Sequence, residues 1–264
     1  SSSIVFYDAM LTDVTTEERM DDVSSHGYAW GYIGSCIPFG IGLALVLGGE
    51  KLGLSMQVSM GLTFLLTALW WFLVTIPLLR QYKQVHYVEN HGQIWKRSFG
   101  RLWKSLKEMR KEKHIFMFLL AFFFYIDGVY TIIEMATAYG QSLGLDSTGL
   151  LLALLVTQLV AFPFCLIFAK LAKRFSGTKL ITVCIVAYFC IAVYAIQLDR
   201  QIEFWILAVC VGMFQGGIQA LSRSYFAKII PAEKSGEYFG LLDICGKGAS
   251  FIGTTLMSVV SQLT

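Results

Sequence analysis

The 264 residues are 56% hydrophobic and only 15% charged, with a mean hydropathy of +0.62. A water-soluble globular chain carries about a quarter of its residues as charges, so this composition excludes an ordinary soluble domain. The formal net charge of +3 points to no partner, whereas the placement of the charges does.

Residues 1–25 are polar and read as an internal cytoplasmic loop, without an initiator Met or a signal-type leader. Seven apolar stretches follow, at 28–48, 57–79, 115–137, 148–169, 180–198, 202–222 and 238–261. A membrane-crossing helix needs about 20 mostly apolar residues at about 1.5 Å rise each, and all seven qualify. Their apolarity is continuous instead of alternating, which predicts helices and not barrel strands. The expected class is an all-α polytopic membrane protein.

The first span, in a unit expected over 26–79, contains Gly31, Gly34, Pro38, Gly40 and Gly42. Between the second and third spans, residues 80–113 hold Arg80, Lys83, Lys96, Arg97, Arg101, Lys104, Lys107, Arg110, Lys111 and Lys113, ten of the 21 basic residues. The positive-inside rule puts this loop in the cytoplasm and fixes the other loops by alternation. Within it Trp95, Phe99, Leu102, Leu106 and Met109 recur at helical steps between the cations. Such a helix is expected to lie on the bilayer with residues 95–113 near acidic headgroups. The alternative is a helix docked on the ends of other spans, and nucleic acid is not an expected partner.

The five spans of 114–264 carry the candidate chemistry. An ionisable side chain inside a span costs about 2.5 to 3.5 kcal/mol on insertion scales, so each asks for a partner or a function. Asp127 and Glu134 stand seven residues apart in the third span, about 10 Å along one helix face. Both could face one aqueous cavity and act as proton-coupling groups. Either could instead be structural, Asp127 bonded to a neighbouring helix and Glu134 solvated at a helix end. The fourth span has a lone Gln158 and ends in a basic loop with Lys170, Lys173, Arg174 and Lys179. In the sixth, Gln215, Gln219 and Ser222 share a face suited to solute hydrogen bonds or to interhelical ones. Arg223 is expected to snorkel to headgroups. In the seventh, Asp243 and Lys247 at i and i+4 form an intrahelical pair or serve as a gate or substrate contact. All six cysteines, Cys36, Cys165, Cys184, Cys190, Cys210 and Cys245, fall within spans without a CxxC pair. His26, His86, His91 and His114 have no metal-ligand spacing. No metal, no cofactor and no enzymatic activity is expected.

The loop Ala169 to Lys179 resembles the second copy of the major facilitator loop signature, and Pro231 to Gly240 resembles that superfamily's entry into its eleventh helix. Phe6 to Leu11, Ser24 to Gly34, Phe99 to Lys104, Tyr125 to Val129 and Gln219 to Ser224 are similar to the Atg22-like branch of vacuolar amino-acid effluxers and their bacterial relatives. The resemblance implies a major facilitator carrier of a small solute, amino acids among the candidates, working by alternating access and either proton-linked or facilitated. The seven spans would be helices five to eleven of twelve, so the remaining helices of the same chain would be partners. The membrane would be the inner membrane in a bacterium and the vacuolar membrane in a fungus. Two other readings stand beside it. One is a retinal-binding seven-helix protein with Lys247 as Schiff-base lysine; the other is a membrane scaffold or receptor without transport.

Overall fold

The computed structural model describes residues 2–86 and 94–263, with side chains described for 3–86 and 103–260. Ten α-helices and no strands occur among the described residues. The segment expected as a loop begins with two short helices, α1 (Ser2–Ala9) and α2 (Leu11–Val14). The long helices are α3 (Met20–Gly48), α4 (Met56–Gln81), α6 (Lys113–Ser142), α7 (Ser147–Ala172), α8 (Gly177–Ala195), α9 (Gln201–Ile229) and α10 (Ser235–Leu263), with α5 (Ile94–Lys111) between α4 and α6.

Six of the long helices have the length and apolarity to cross a membrane. The seventh expected span, α10, has 29 residues but is not among those six. Asp243 and Lys247 near its middle, together with its glycines, serines and threonines, lower its apolarity. A helix of that kind needs protein neighbours for its polar face.

Chain reversals occur at two ends. Opposite to α5, the chain turns through Gly53 and Gly144, both left-handed at φ +73° and +75°, a conformation that only glycine adopts without steric cost. Ser55 and Asp146 then cap the next helices by accepting from the backbone N–H of Val58 and Gly149.

Helix α9 is the centre of the bundle. Gly212, Gly216 and Gly217 bring it against α7, where a Cβ on each would meet the Thr157 carbonyl, the Cys165 sulfur and the Phe168 ring respectively. Close approach through small residues is the usual way membrane helices gain packing energy, since lipid supplies no hydrophobic drive between them. Its other faces join Leu119, Phe122 and Ile126 of α6 and Phe239 and Leu242 of α10 in the main apolar core. Helix α3 reaches α7 through Ala29, Tyr32, Ala161 and Cys165. Helix α4 packs chiefly on α3, where Thr63 approaches Gly42, and Ser59 approaches Gly49 just past the end of α3.

Helix α5 docks on the bundle by one edge. Met109 is buried, Ser105 donates to Glu237, and Lys234 donates to Glu108 at 2.7 Å. Trp103 and Leu106 on the other edge are exposed. The side chains of Trp95, Phe99 and Leu102, and the whole of His91, lie outside the described residues. The apolar stripe is thus divided at Met109, which turns inward because α10 and the turn just before it supply hydrogen-bond partners along that edge.

The bond from Lys234 holds the Glu108 carboxyl below its ordinary 4.5, and the same bond lifts Lys234 above 10.5. A lowered acid contributes stability above its unfolded pKa and loses it as pH falls; a raised base contributes below its unfolded pKa and loses it as pH rises. The contact is therefore whole between about pH 4.5 and about pH 10.5. Amide exchange of α5, corrected for intrinsic rates, is expected to stay flat between about pH 5 and 9 and to rise below about pH 4. Lys234→Gln should remove that acid dependence.

Candidate functional site

A cavity of about 670 Å³ opens between α1, α3, α6, α9 and α10, with Gln158 of α7 also on its wall. Each helix contributes a stripe at helical steps: Gly27, Tyr28, Gly31, Tyr32 and Ser35 from α3; Phe122, Ile126, Tyr130 and Glu134 from α6; Gln215, Gln219, Ser222 and Arg223 from α9; and Phe239, Leu242, Asp243, Gly246, Lys247 and Ser250 from α10. Pockets of this size suit small molecules.

Of the six proton-coupling, solute and gate candidates, five meet there, Glu134, Gln215, Gln219, Asp243 and Lys247, together with Gln158, Ser222 and Arg223. Tyr32 of α3 donates to Gln219 Oε1 at 2.8 Å, and the hydroxyls of Tyr125 and Ser222 share a hydrogen bond of 2.7 Å. Lys247 donates to Asp243 one turn away on the same helix. Glu134 is exposed and accepts from Ser250 of α10 at 2.7 Å.

Asp127 does not line the cavity. The α6 face that does so is the four-step stripe through Ile126 and Tyr130, and Asp127 is one residue, about 100° around the helix, off that stripe. It turns toward α10, where Gly253 admits it: a Cβ there would fall 2.3 Å from Asp127 Oδ1 and 2.1 Å from Thr131 Oγ1. Both of those oxygens are buried without a hydrogen-bond partner among the described residues.

Arg223 departs furthest from expectation. Snorkelling would leave it exposed, yet its side chain is only 6% exposed, with Nη1 3.3 Å from Asp8 Oδ1. The guanidinium carbon lies 4.6 Å from the Tyr7 ring centre and 5.6 Å from that of Tyr28. Such ring faces attract a desolvated cation. The sequence did carry a signal for it, because Arg223 continues the four-residue steps of Gln215 and Gln219. Its partner lies in α1, within the segment read as loop.

Nearer the α5 end, α3 is tied to α7 and α9 by charges. Asp21 accepts from Lys228 at 2.6 Å and from Ser224 at 2.6 Å, Lys173 stands 3.1 Å from Asp22, and Ser24 donates to the Ala220 carbonyl at 2.8 Å. Of the basic loop residues, only Lys173 has an ion-pair partner among the described residues; Lys170, Arg174 and Lys179 are exposed. Asp13 joins α2 to the end of α4, accepting from Tyr82 and from the backbone and ring of His86. Burial acts to raise its carboxyl, and those bonds outweigh it and hold the group below the ordinary carboxylate range. Among the described residues no cluster of His, Cys, Asp and Glu could hold a metal ion.

The family model described as "Vacuole effluxer Atg22 like" matches residues 9–264. The chain belongs to the Atg22-like family. It is 48% identical over 266 aligned positions to the "Uncharacterized MFS-type transporter YxiO" of Bacillus subtilis, a match covering 100% of the chain and 62% of that protein. Autophagy-related protein 22 of Kluyveromyces lactis is 25% identical over 264 positions, covering 92% of the chain and 53% of the relative. Autophagy-related protein 22-1 of Aspergillus niger is 26% identical, covering 91% and 42%. The chain thus spans 62% or less of the length of these Atg22-like relatives. Membership in this family, with six helices apolar enough to cross a bilayer, makes the chain part of a multi-pass, all-α integral membrane protein.

Proposed function

We propose that the protein is a secondary carrier, moving a small solute through the cavity by alternating access, with amino acids exported as solutes and proton movement coupled to transport. In this reading residues 26–79 close a first half, 80–113 link the halves at the cytoplasmic face beside acidic headgroups, and 114–264 form most of the second half. The observation that carries it is the cavity itself. Charged and amide side chains from helices far apart in sequence converge on one space of about 670 Å³ inside an otherwise apolar bundle, where unrewarded polar groups would be expensive. The names of the Atg22-like relatives, an effluxer family and an MFS-type transporter, support the same reading.

Proton coupling has two candidates with different geometry. Glu134 faces the cavity, so its protonation would be felt by a solute directly. Asp127 lies against Gly253 on the α6–α10 seam, so loading or releasing a proton there would alter helix packing. Gln215, Gln219, Asp243 and Lys247 are the solute or gate contacts of this reading.

Counterflow of labelled leucine and tyrosine in proteoliposomes holding the full-length protein tests it. Exchange driven by unlabelled solute is the expected result, and Asp127→Asn should keep exchange while losing pH-driven uptake. Folded protein that exchanges neither amino acid removes the amino-acid assignment. Asp127→Asn with pH-driven uptake intact removes that residue from coupling.

A further inference from the structure

The edge of α5 that does not dock on the bundle forms one wall of a groove of about 600 Å³, separate from the solute cavity. Trp103, Leu106, Lys107 and Arg110 stand along it at steps of three and four, and Phe116, Leu120 and Phe123 of α6 form the other wall at steps of four and three. Met109 and Leu119, both buried, and Cys245 of α10 complete the lining. The α6 wall lies within ten residues of Lys113, where that helix starts. Ten residues rise about 15 Å, half the hydrocarbon thickness, so the groove belongs to the leaflet on the α5 side.

The lining is apolar except for Lys107 and Arg110, which are exposed. Neither has an ion-pair partner among the described residues, where the pairs of α5 are those of Glu108 with Lys104 and Lys234. No carboxylate lines the groove, because Glu108 and Glu112 face a different pocket that includes Lys234. Two cations over an apolar slot between helices match the two parts of an anionic lipid, and basic pockets between spanning helices bind such headgroups. Burial of a chain and attraction to its headgroup both add to the affinity.

We infer that this groove is a binding site for one anionic phospholipid of the bilayer, with an acyl chain between α5 and α6 and the phosphate at Lys107 and Arg110. The inference rests on the placement of α5 beside acidic headgroups and adds to it a discrete site and the lipid's orientation. Ser105 and Glu108 tie the inner edge of α5 to Glu237 and Lys234; the lipid ties its outer edge to α6. The segment that links the halves in the carrier reading is then held on both edges only while the lipid is bound.

The test uses the full-length protein in phosphatidylcholine bilayers with a small, varied fraction of phosphatidylglycerol whose brominated chains quench any tryptophan they touch. Quenching at Trp103 is the difference between the unsubstituted protein and Trp103→Phe. Half-maximal quenching is expected at about thirtyfold lower mole fraction of brominated phosphatidylglycerol than of brominated phosphatidylcholine, the ratio set by two cations near a membrane surface. Lys107→Gln with Arg110→Gln should make the two lipids equivalent. Lys104→Gln with Lys111→Gln, which removes the same charge from α5 outside the groove, should keep most of the preference. Amide exchange of α5 should slow when phosphatidylglycerol is added, except in the variant lacking Lys107 and Arg110. Equal quenching by the two lipids would mean annular lipid only, and equal loss in both charge variants would mean diffuse surface charge; either overturns the inference. Absence of quenching by both lipids would overturn the placement of α5 at the bilayer as well, and would leave the carrier reading to counterflow.

Discussion

Gly216→Ala is expected to destabilise the protein by about 2 kcal/mol, although alanine is the better helix former by about 1 kcal/mol. The added Cβ would lie 2.0 Å from the Cys165 sulfur and 3.0 Å from the Tyr32 ring, at the point where α9, α7 and α3 converge. Helices joined by close packing cannot absorb such an atom without separating. A fall of about 5 °C in the melting temperature of detergent-solubilised protein is the expected reading. The second substitution Cys165→Ala removes the nearest clashing atom and should restore most of the loss, leaving a coupling energy in the double-mutant cycle. Unchanged melting in Gly216→Ala would show that α7 and α9 are not in this contact.

The second large effect concerns the charges that join α3 to α9. Asp21 and Lys228 are mostly buried and meet at 2.6 Å, with Ser224 bonded to the same carboxylate. Asp21→Lys sets two cations against each other there, a repulsion worth several kcal/mol in a desolvated contact. Ser24, fully buried beside Ala220, reports the outcome when replaced by cysteine. Its labelling by a water-soluble maleimide should speed up by at least about tenfold in Asp21→Lys, which needs only about 1.4 kcal/mol. Adding Lys228→Asp reverses both charges and should return the rate toward its starting value. A rate unmoved by either change would mean that these charges do not hold the two helices together.

Much of this arrangement was legible in the sequence because bilayer-length apolar runs have few other uses. The six most apolar helices all fall on stretches expected to span. Spacing also found the amide stripe of α9 and the Asp243–Lys247 pair, since both depend on neighbours along one helix. What escaped depends on contacts between distant segments. Arg223 looked like a snorkelling residue because it sits late in its span, and only the folding of α1 over it reveals burial. Asp127 and Glu134 share a helix face by count, yet the cavity follows a stripe that drifts around α6, and Gly253 on α10 decides where Asp127 points. The α5 stripe predicted a helix correctly but not its docked edge, because Ser105 and Glu108 read as solvated until Glu237 and Lys234 lie opposite them.

That the cavity is the path of the solute is tested most directly at Ser35, which lines it and donates to the Tyr32 carbonyl within its own helix. Ser35→Cys in the full-length protein, treated with a membrane-impermeant methanethiosulfonate, is predicted to lose leucine exchange, and saturating leucine is predicted to slow the modification. The unsubstituted protein, whose Cys36 is not on the cavity wall, supplies the baseline. Modification at an unchanged rate in leucine, with exchange surviving it, would contradict the account.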